Sequence, residues 1–265
     1  MCRLLAYLGD RIQLDRILIE PEHSLIKQSY QPQEMTAGLL NADGFGVGWY
    51  DTKRDTLPYS YRNILPIWND ANLPELARYV ESKSYLGYVR SATSSLSVDT
   101  INCQPFSHQN LLFVHNGFID DFRNTLFRPI KESLGDTAYK NIFGTTDSEH
   151  IFASIVNELE KDQDISLQEA LKNTIATLTT LASSDDVGFS ANIALSNGTE
   201  LIASRYSNRE GKETPTLYYT KNHSQYPNAV IVASEPMFEG DWISCPEKSI
   251  ISVTKNLEIS VHSLS

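Results

Sequence analysis

The hydrophobic pattern of the chain changes its period twice, and this order of periods restricts the folds open to it. Short apolar runs bounded by turn or polar residues predict strands in the first half. These runs lie at residues 3–8, 45–50, 85–89 and 111–114. Apolar residues then recur at helical spacing from Asp147 onward and again over 167–181, which predicts two amphipathic helices. Thr146 and Glu149 have the spacing of a capping box at the start of the first helix.

The last third of the chain returns to a β-rich pattern. Runs at 189–195 and 201–206 flank Asn197-Gly198, a dipeptide typical of tight hairpin turns. Strands, two helices and strands again predict one α+β domain, residues 2–265, with helices packed on the faces of sheets. Further β-rich runs, separated by polar loops, lie at residues 216–220, 229–234, 249–253 and 257–261.

Composition and charge exclude several classes of function. The formal net charge of −11 repels phosphate backbones and anionic membranes, so we expect neither nucleic acid nor a membrane as a partner. No apolar run approaches the roughly 18 residues of a membrane-spanning helix, and the first residues do not resemble a signal peptide. A cytoplasmic protein that acts on a small molecule is therefore expected.

Cysteine and histidine usage argues against metal chemistry. Cys2, Cys103 and Cys245 form no C-x-x-C pair, and their odd number argues against a disulfide framework. The six histidines are scattered, without H-E-x-x-H spacing, so we expect no metal and no cofactor. Cys103 and Cys245 have no base or cation nearby in sequence, which favours buried structural thiols, and His115 is also interpreted as structural.

Cys2 can become the N-terminal residue, which no internal cysteine can. Methionine aminopeptidases remove Met1 when residue 2 is small, and cysteine qualifies. The exposed α-amino group would have an ordinary pKa of about 7.7 to 8.0, which suits a general base at neutral pH. One residue would then supply both nucleophile and base. On position alone, Cys2 is equally well explained as an incidental terminal residue.

Five stretches resemble the motifs of class II glutamine amidotransferases, in the same order and with the same spacing. They read MCRLLAYLG at 1–9, NADGFGVGW at 41–49, VRSAT at 89–93, VHNG at 114–117 and TDSE at 146–149. Residues 24–30 and 233–236 also resemble one branch, the γ-glutamyl hydrolases of ergothioneine biosynthesis. The resemblance implies the N-terminal-nucleophile hydrolase fold, an αββα four-layer sandwich, which agrees with the predicted order of elements.

The resemblance also implies substrate-binding residues. Arg90 matches the arginine that binds the substrate's α-carboxylate, and a guanidinium fork suits a planar carboxylate. Asp147 matches the carboxylate that pairs with the α-ammonium group, and Thr93 is assigned to substrate binding with them. Two alternatives remain open at this point. Arg90 could form a surface ion pair, and an acid such as Asp147 is favoured in a first helical turn whatever its function.

Asn116 and Gly117 match an oxyanion hole, in which an amide side chain and a backbone N–H stabilise the tetrahedral oxygen. An Asn-Gly pair is also the commonest hairpin signal. The residues after Gly117 have no clean strand pattern, whereas Asn197-Gly198 joins two credible strands. We therefore assign the turn to the second pair and the chemistry to the first.

Two positions depart from the family pattern. The histidine common before Val-Arg is Tyr88 here, and the histidine usual in Asn-x-His-Pro-Phe is Gln104. Neither is a catalytic position in the family. The roles of nucleophile, substrate clamp and oxyanion hole are therefore unaffected.

Three functions fit these residues. The first is a stand-alone hydrolase that cleaves a γ-glutamyl amide through a γ-glutamyl thioester and releases glutamate and an amine. The second is a glutaminase subunit that passes ammonia to a synthase partner. The third is a γ-glutamyl-binding regulatory module without turnover, which is disfavoured because every catalytic role has an occupant. A homo-oligomer is compatible with each of them.

Overall fold

Two antiparallel sheets form the centre of the protein. The computed structural model describes residues 1–35, 38–92, 98–184, 186–209 and 214–264. In chain order the strands are β1 (Arg3–Gln13), β2 (Phe45–Trp49), β3 (Tyr59–Asn63), β4 (Glu81–Val89), β5 (Phe106–His108), β6 (Leu111–Ile119), β7 (Phe189–Ser196), β8 (Leu201–Arg205), β9 (Tyr218–His223), β10 (Tyr226–Ala233), β11 (Ile243–Ser244), β12 (Ser249–Val253) and β13 (Ile259–Ser263). The α-helices are α1 (Leu14–Leu18), α2 (Leu25–Tyr30), α3 (Leu73–Tyr79), α4 (Phe127–Ser133), α5 (Asp136–Lys140), α6 (Asp147–Lys161) and α7 (Leu167–Ser184).

Each sheet combines strands from distant parts of the chain. The first sheet has the order β11-β9-β10-β1-β4-β2-β3, and the second has the order β13-β12-β8-β7-β6-β5. The N-terminal strand β1 lies between β4 and β10 and pairs with both. In the second sheet, β6 pairs with β5 on one side and with β7 on the other.

Three apolar cores divide these elements into four layers. Helices α1, α2 and α3 pack on the outer face of the first sheet, and Leu14, Leu18 and Leu25 lie in that core. Leu86 and Val114 belong to the core between the two sheets. Helices α4 to α7 cover the outer face of the second sheet. The predicted αββα four-layer sandwich is confirmed.

The first strand is buried on both of its faces. Leu5 and Tyr7 contact the core beneath the helices, whereas Leu4, Ala6 and Leu8 lie between the sheets. Side chains alternate across a strand, so a strand between two cores requires a continuous apolar run. This explains why residues 4–8 are all apolar.

The same strand is longer than the sequence predicts. It continues to Gln13, with a shift of register against β4 between Leu8 and Ile12. The predicted end of this strand at residue 8 is therefore wrong. A Cβ atom at Gly9 would lie 2.5 Å from the Cβ of Ala229 in β10, so this glycine allows close strand packing rather than a turn.

The two predicted helices are confirmed as α6 and α7, with α7 continuing to Ser184. Helices α1 to α5 have only five to seven residues each, so their sequences show too few repeats of the helical period to be recognised. No helix in the described part of the chain combines the length and apolar character needed to cross a membrane.

The two Asn-Gly pairs differ in structure as they do in sequence context. The β7–β8 hairpin is confirmed around Asn197-Gly198, where Gly198 has a φ of +87°, a left-handed conformation that suits glycine. Asn116 and Gly117 instead lie inside β6. A hairpin turn at this pair is therefore excluded.

A buried carboxylate joins the N-terminal strand to the C-terminal half of the chain. Glu235 Oε1 accepts a hydrogen bond from Arg3 Nε at 2.8 Å, and Oε2 lies 2.7 Å from His23 Nε2. The backbone N–H groups of Gln33 and Glu34 donate to the same carboxylate at 2.8 and 3.1 Å. Burial alone would raise the pKa of Glu235, but these hydrogen bonds and the charge of Arg3 lower that pKa to about 2. The carboxylate is therefore charged at neutral pH and holds Arg3 beside Cys2.

Replacing Glu235 with glutamine should leave the Arg3 guanidinium buried without an opposite charge. We expect Glu235→Gln to lower the free energy of unfolding at pH 7 by about 3–5 kcal/mol, the usual cost of removing one partner of a buried ion pair. The folded-state pKa of Glu235 lies below its ordinary value of 4.5. The wild type therefore has this stabilisation above that pH and loses it as the pH falls towards 2. Urea titrations at pH 7 and pH 3 measure the free energy of unfolding. Its decrease between the two pH values should be smaller in Glu235→Gln than in the wild type.

Glu75→Gln is the matched control, because Glu75 pairs with Arg78 on the exposed surface of α3. This control should leave the free energy of unfolding close to that of the wild type, because an exposed ion pair contributes little to stability. Equal losses in the two variants would show that the buried network does not stabilise the first strand.

Candidate active site

A cavity of about 460 Å³ opens beside the start of β1. Residues from separate stretches of the chain line it, among them Cys2, Arg90, Gly117 and Asp147. Each of these residues belongs to a different one of the stretches that carry the family resemblance. Thr93, the remaining predicted substrate-binding residue, lies outside the described residues.

The thiol of Cys2 lies next to the backbone of Ser91. The Ser91 N–H donates a hydrogen bond to Cys2 Sγ at 3.4 Å, and Sγ lies 3.6 Å from the Ser91 carbonyl oxygen. Arg3 Nη1 donates to the Cys2 carbonyl oxygen at 2.9 Å. Burial lowers the pKa of the Met1 α-ammonium group, so the chain terminus is packed into this region rather than fully solvated.

Arg90 is buried, with 3% of its surface exposed. The backbone N–H of Arg90 donates to the Gly44 carbonyl oxygen at 2.8 Å, and the backbone N–H of Asp43 donates to the Arg90 carbonyl oxygen at 3.0 Å. Gly44 has a φ of +118°, and a Cβ atom there would lie 2.6 Å from Cys103 Sγ, so glycine is required. The stretch 41–49 thus fixes the backbone that carries Arg90. The burial of the Arg90 side chain argues against the alternative that it forms a surface ion pair.

Asn116 is fully buried, on the same face of β6 as Leu112 and Val114 between the two sheets. Neither its amide nitrogen nor its amide oxygen has a hydrogen-bond partner among the described residues. A buried polar group without a partner costs about 1–3 kcal/mol, and native proteins retain such groups mainly where they serve a function. Asn116 does not itself line the cavity, whereas the next residue, Gly117, does.

Gly117 occupies a position where a side chain does not fit. A Cβ atom on Gly117 would overlap the Ser190 carbonyl oxygen and the His115 ring. The Gln104 side chain holds the preceding backbone, because its Oε1 accepts from the His115 N–H at 2.5 Å and its Nε2 donates to the His115 carbonyl oxygen at 3.2 Å. The segment that contains Asn116 and Gly117 is therefore fixed from both sides.

His115 supports this strand as a neutral ring. Burial lowers the pKa of His115. Its Nε2 lies 3.0 Å from the Ser190 carbonyl oxygen, which can only accept, so Nε2 carries the hydrogen. Its Nδ1 then accepts from the Ser148 hydroxyl group at 2.9 Å. Both ring nitrogens are occupied, which supports the structural interpretation of His115.

Only one of the two hydrogen bonds of the predicted capping box forms at the start of α6. Thr146 Oγ1 accepts a hydrogen bond from the Glu149 N–H at 3.2 Å, as an N-cap does. The Glu149 carboxylate does not return to Thr146; it accepts from the N–H groups of Phe143 and Gly144 at 2.9 and 2.7 Å. Glu149 therefore orders the loop before the helix rather than the helix start alone.

Asp147 is the first residue of α6 and joins this helix to β6. Its Oδ1 accepts from the Ser148 N–H at 2.7 Å, and its Oδ2 accepts from the Ile119 N–H at 2.9 Å. The positive end of the helix dipole also favours a carboxylate here. Asp147 therefore has a structural role at the start of α6, and it also lines the cavity.

Two cavity-lining residues were set aside by the sequence analysis. Tyr88 and Gln104 stand where the family commonly has histidine, and both line the cavity. The sequence did contain a signal for Tyr88. It lies two residues before Arg90 at the end of a predicted strand, and residues two apart on extended backbone point to the same face of a sheet.

Three aromatic side chains also line the cavity. Phe118, Phe122 and Phe127 line it together with Asp121 and Arg123. Only the first of these residues directly follows a recognised motif, and none carries a role implied by the resemblance. Sequence analysis had no signal that would bring them to the cavity.

Comparison with known proteins identifies the family. The model of class-II glutamine amidotransferases matches residues 24–237. The chain belongs to this family. A probable glutamine amidotransferase of Saccharomyces cerevisiae is 31% identical over 295 residues, which cover 96% of this chain and 82% of that protein. A γ-glutamyl-hercynylcysteine sulfoxide hydrolase of Mycobacterium tuberculosis is 30% identical over 257 residues, which cover 96% of this chain and 94% of that protein.

Solved structures agree with this family assignment. A glutamine aminotransferase class-II domain protein from Silicibacter pomeroyi is 26% identical, with a TM-score of 0.71 and full coverage of both chains. A glutamine phosphoribosylpyrophosphate amidotransferase from B. subtilis has a TM-score of 0.65 at 16% identity and is matched over 49% of its own chain. The second likeness concerns the fold alone.

Gly117→Ala tests how tightly the segment of β6 that contains Asn116 and Gly117 is packed. The added methyl group would overlap backbone and a buried ring, so β6 must shift. We expect the free energy of unfolding to fall by about 1–3 kcal/mol, as overpacking of a core does. Urea denaturation followed by circular dichroism measures this change.

Gly135→Ala is the matched control for this substitution. Gly135 has a φ of −71°, and a Cβ atom there would meet only Asn157 Oδ1, at 3.4 Å. This control should leave the free energy of unfolding within about 0.5 kcal/mol of the wild type. A loss in Gly117→Ala no larger than that in Gly135→Ala would contradict the packing argument.

Proposed function

We propose that this class-II glutamine amidotransferase hydrolyses a γ-glutamyl amide, with Cys2 as the nucleophile. The observation that supports this most directly is the cavity shared by Cys2, Arg90, Gly117 and Asp147. It combines a thiol, a cation, a backbone N–H group and an anion, which are the groups needed to cleave an amide that carries an α-amino acid. The name of the Mycobacterium tuberculosis relative, a hydrolase of a γ-glutamyl compound, points to the same bond.

In this proposal, removal of Met1 exposes the α-amino group of Cys2, which takes the proton of the thiol. The thiolate attacks the γ-carbonyl carbon, and the Asn116 amide and the Gly117 N–H stabilise the oxyanion. Collapse of the tetrahedral intermediate breaks the C–N bond, and the amine leaves with the proton from the α-ammonium group. Water, activated by the α-amino group, then hydrolyses the γ-glutamyl thioester, which releases glutamate and restores Cys2.

Arg90 and Asp147 would bind opposite ends of the zwitterion. The buried guanidinium of Arg90 suits the α-carboxylate, and the Asp147 carboxylate suits the α-ammonium group. Both side chains belong to backbone segments that hydrogen bonds hold in place. We also propose that Thr93, in the Arg90 motif, contributes to this binding.

The size and lining of the cavity favour a leaving group larger than ammonia. A volume of about 460 Å³ falls within the range of about 300–1,000 Å³ for small-molecule sites. Phe118, Phe122 and Phe127 add apolar surface to the cavity wall, which suits an amine that carries an apolar substituent. We therefore place the stand-alone hydrolase first.

A glutaminase subunit that supplies ammonia to a synthase partner is the second function. The yeast relative, named a probable glutamine amidotransferase, favours it. Release of ammonia from glutamine, compared with release of glutamate from γ-glutamyl peptides, separates the two. Higher kcat/KM on the peptides would support the hydrolase, and higher kcat/KM on glutamine would support the subunit.

We also propose that residues 2–265 work as one domain. Strand β1 at the N-terminus pairs with β10 near the C-terminus, and β6 pairs with β7 across the two long helices. A cut between these strands would divide both sheets.

Asn116→Ala tests the oxyanion hole. We expect kcat on a γ-glutamyl amide to fall by about 10²-fold to 10³-fold with little change in KM, because the donor acts on transition-state charge. Asn157→Ala is the control, since this asparagine of α6 bonds the Gly135 N–H and does not line the cavity. It should lower stability and leave kcat unchanged. A raised KM with unchanged kcat in Asn116→Ala would make Asn116 a ground-state contact.

The clamp predicts which substrate analogues fail. Glutaryl amides lack the α-amino group, so they should be poor substrates for the wild type, and Asp147→Asn should narrow the gap between glutaryl and γ-glutamyl amides. Misplacing the substrate by roughly 1 Å can cost about 10²-fold in rate, so Asp147→Asn should lose about that much on γ-glutamyl amides. Ratios of kcat/KM measure both effects.

Asp121→Asn provides the control for charge alone, because Asp121 also lines the cavity but belongs to none of the stretches that carry the family resemblance. This variant should keep the preference for γ-glutamyl over glutaryl amides. Equal turnover of the two substrate classes by the wild type would remove the clamp from the proposal.

A further inference from the structure

Tyr88 occupies the face of the first sheet that also carries Cys2 and Arg90. The register pairs Leu4 of β1 with Tyr88 of β4, so Cys2 is the diagonal neighbour of Tyr88 across the two strands. Such neighbours are about 7–8 Å apart at the backbone, within reach of a long aromatic side chain. Tyr88 belongs to the core between the sheets, and Cys2 packs against that core.

The side chains of Tyr88 and Cys2 both line the cavity, and Tyr88 is only 3% exposed. The Ser91 N–H donates to Cys2 Sγ at 3.4 Å. The strand register brings the Tyr88 phenol within reach of the same sulfur as a second donor, from a side chain.

Three ionisable groups act on the charge of Tyr88. They are Cys2 itself, Arg90 directly after β4, and Asp147 at the start of α6. Burial, above all, and the charge of Cys2 raise the pKa of Tyr88 well above its ordinary value. The phenol therefore keeps its proton whenever the thiol loses its own, and it can donate to the thiolate.

We propose that Tyr88 holds the Cys2 thiolate by donating a hydrogen bond from its hydroxyl group to Sγ, beside the Ser91 N–H. The catalytic consequence rests on the proposed function. The thiol proton passes to the α-amino group, and Tyr88 keeps its own proton throughout. When sulfur becomes part of the thioester its negative charge is gone and this hydrogen bond weakens. The bond strengthens again as the thiolate leaves during hydrolysis, so Tyr88 favours that second step.

Tyr88→Phe removes only the hydroxyl group and keeps the ring that packs between the sheets. The experiment measures the rate at which iodoacetamide alkylates Cys2 as a function of pH, on protein whose mass confirms the loss of Met1. The N-terminal peptide reports Cys2 by mass spectrometry. Burial raises the pKa of the other two thiols, Cys103 and Cys245, which keeps them unreactive.

The apparent pKa of the Cys2 thiol should rise in Tyr88→Phe by about one unit or more, because a hydrogen bond to a charged group shifts an equilibrium about tenfold or more. On a γ-glutamyl amide, kcat/KM should fall about tenfold at pH 7 and recover as the pH rises. Tyr85→Phe is the matched control. Tyr85 is buried in the same strand and donates to the Ile12 carbonyl oxygen at 2.7 Å, and it packs in the core beneath the helices. It should leave the thiol pKa unchanged.

An unchanged thiol pKa in Tyr88→Phe would overturn the inference, and so would an equal shift in Tyr85→Phe. Alkylation needs no substrate, so the two proposals fail separately. A shifted thiol pKa in a protein that hydrolyses no γ-glutamyl compound supports the role of Tyr88 and overturns the proposed function. Hydrolysis by the wild type without any shift in Tyr88→Phe overturns only the role of Tyr88.

Discussion

The ion pair between Arg3 and Glu235 holds the start of the first strand, and the geometry of the cavity depends on that start. Arg3 is bound on one side by the buried carboxylate and donates on the other to the Cys2 carbonyl oxygen. Leu4 and Leu5 then enter two different cores. A strand buried on both faces cannot rotate or slide by one residue without exchanging those cores. The position of the thiol is therefore set by packing over the whole of β1.

The other groups of the cavity take their places relative to this strand. Alternation along β4 puts Tyr88 and Arg90 on the face of Cys2, and the backbone at Gly44 fixes the end of β4. From the opposite sheet, β6 brings Gly117, and Asp147 is tied to the end of that strand by the Ile119 N–H. The cavity thus lies where two sheets and one helix start meet, with Cys2 directly before β1 and Arg90 directly after β4.

The sequence predicted the layers of the fold, both long helices and four residues that share the cavity, because strong periodicity and contiguous motifs carry that information. It could not predict the network around Glu235, since Arg3 and Glu235 are separated by almost the whole chain and a single carboxylate has no pattern. The extent of β6 was missed for a different reason: Asn116 and Gly117 are poor strand formers, and pairing with β7 overrides their propensity. Tyr88 was passed over because it departs from the family pattern, whereas the structure places its side chain in the cavity that Cys2 also lines.

The place of β10 beside β1 also has a consequence for the order of events during synthesis. Strand β1 is synthesised long before β10, which ends at Ala233. One edge of β1 therefore stays unpaired until β10 has been made. Glu235 arrives still later, and only then can the Arg3 guanidinium be neutralised in the interior. The centre of the first sheet is therefore completed late in synthesis, when a strand made after the two long helices packs against β1.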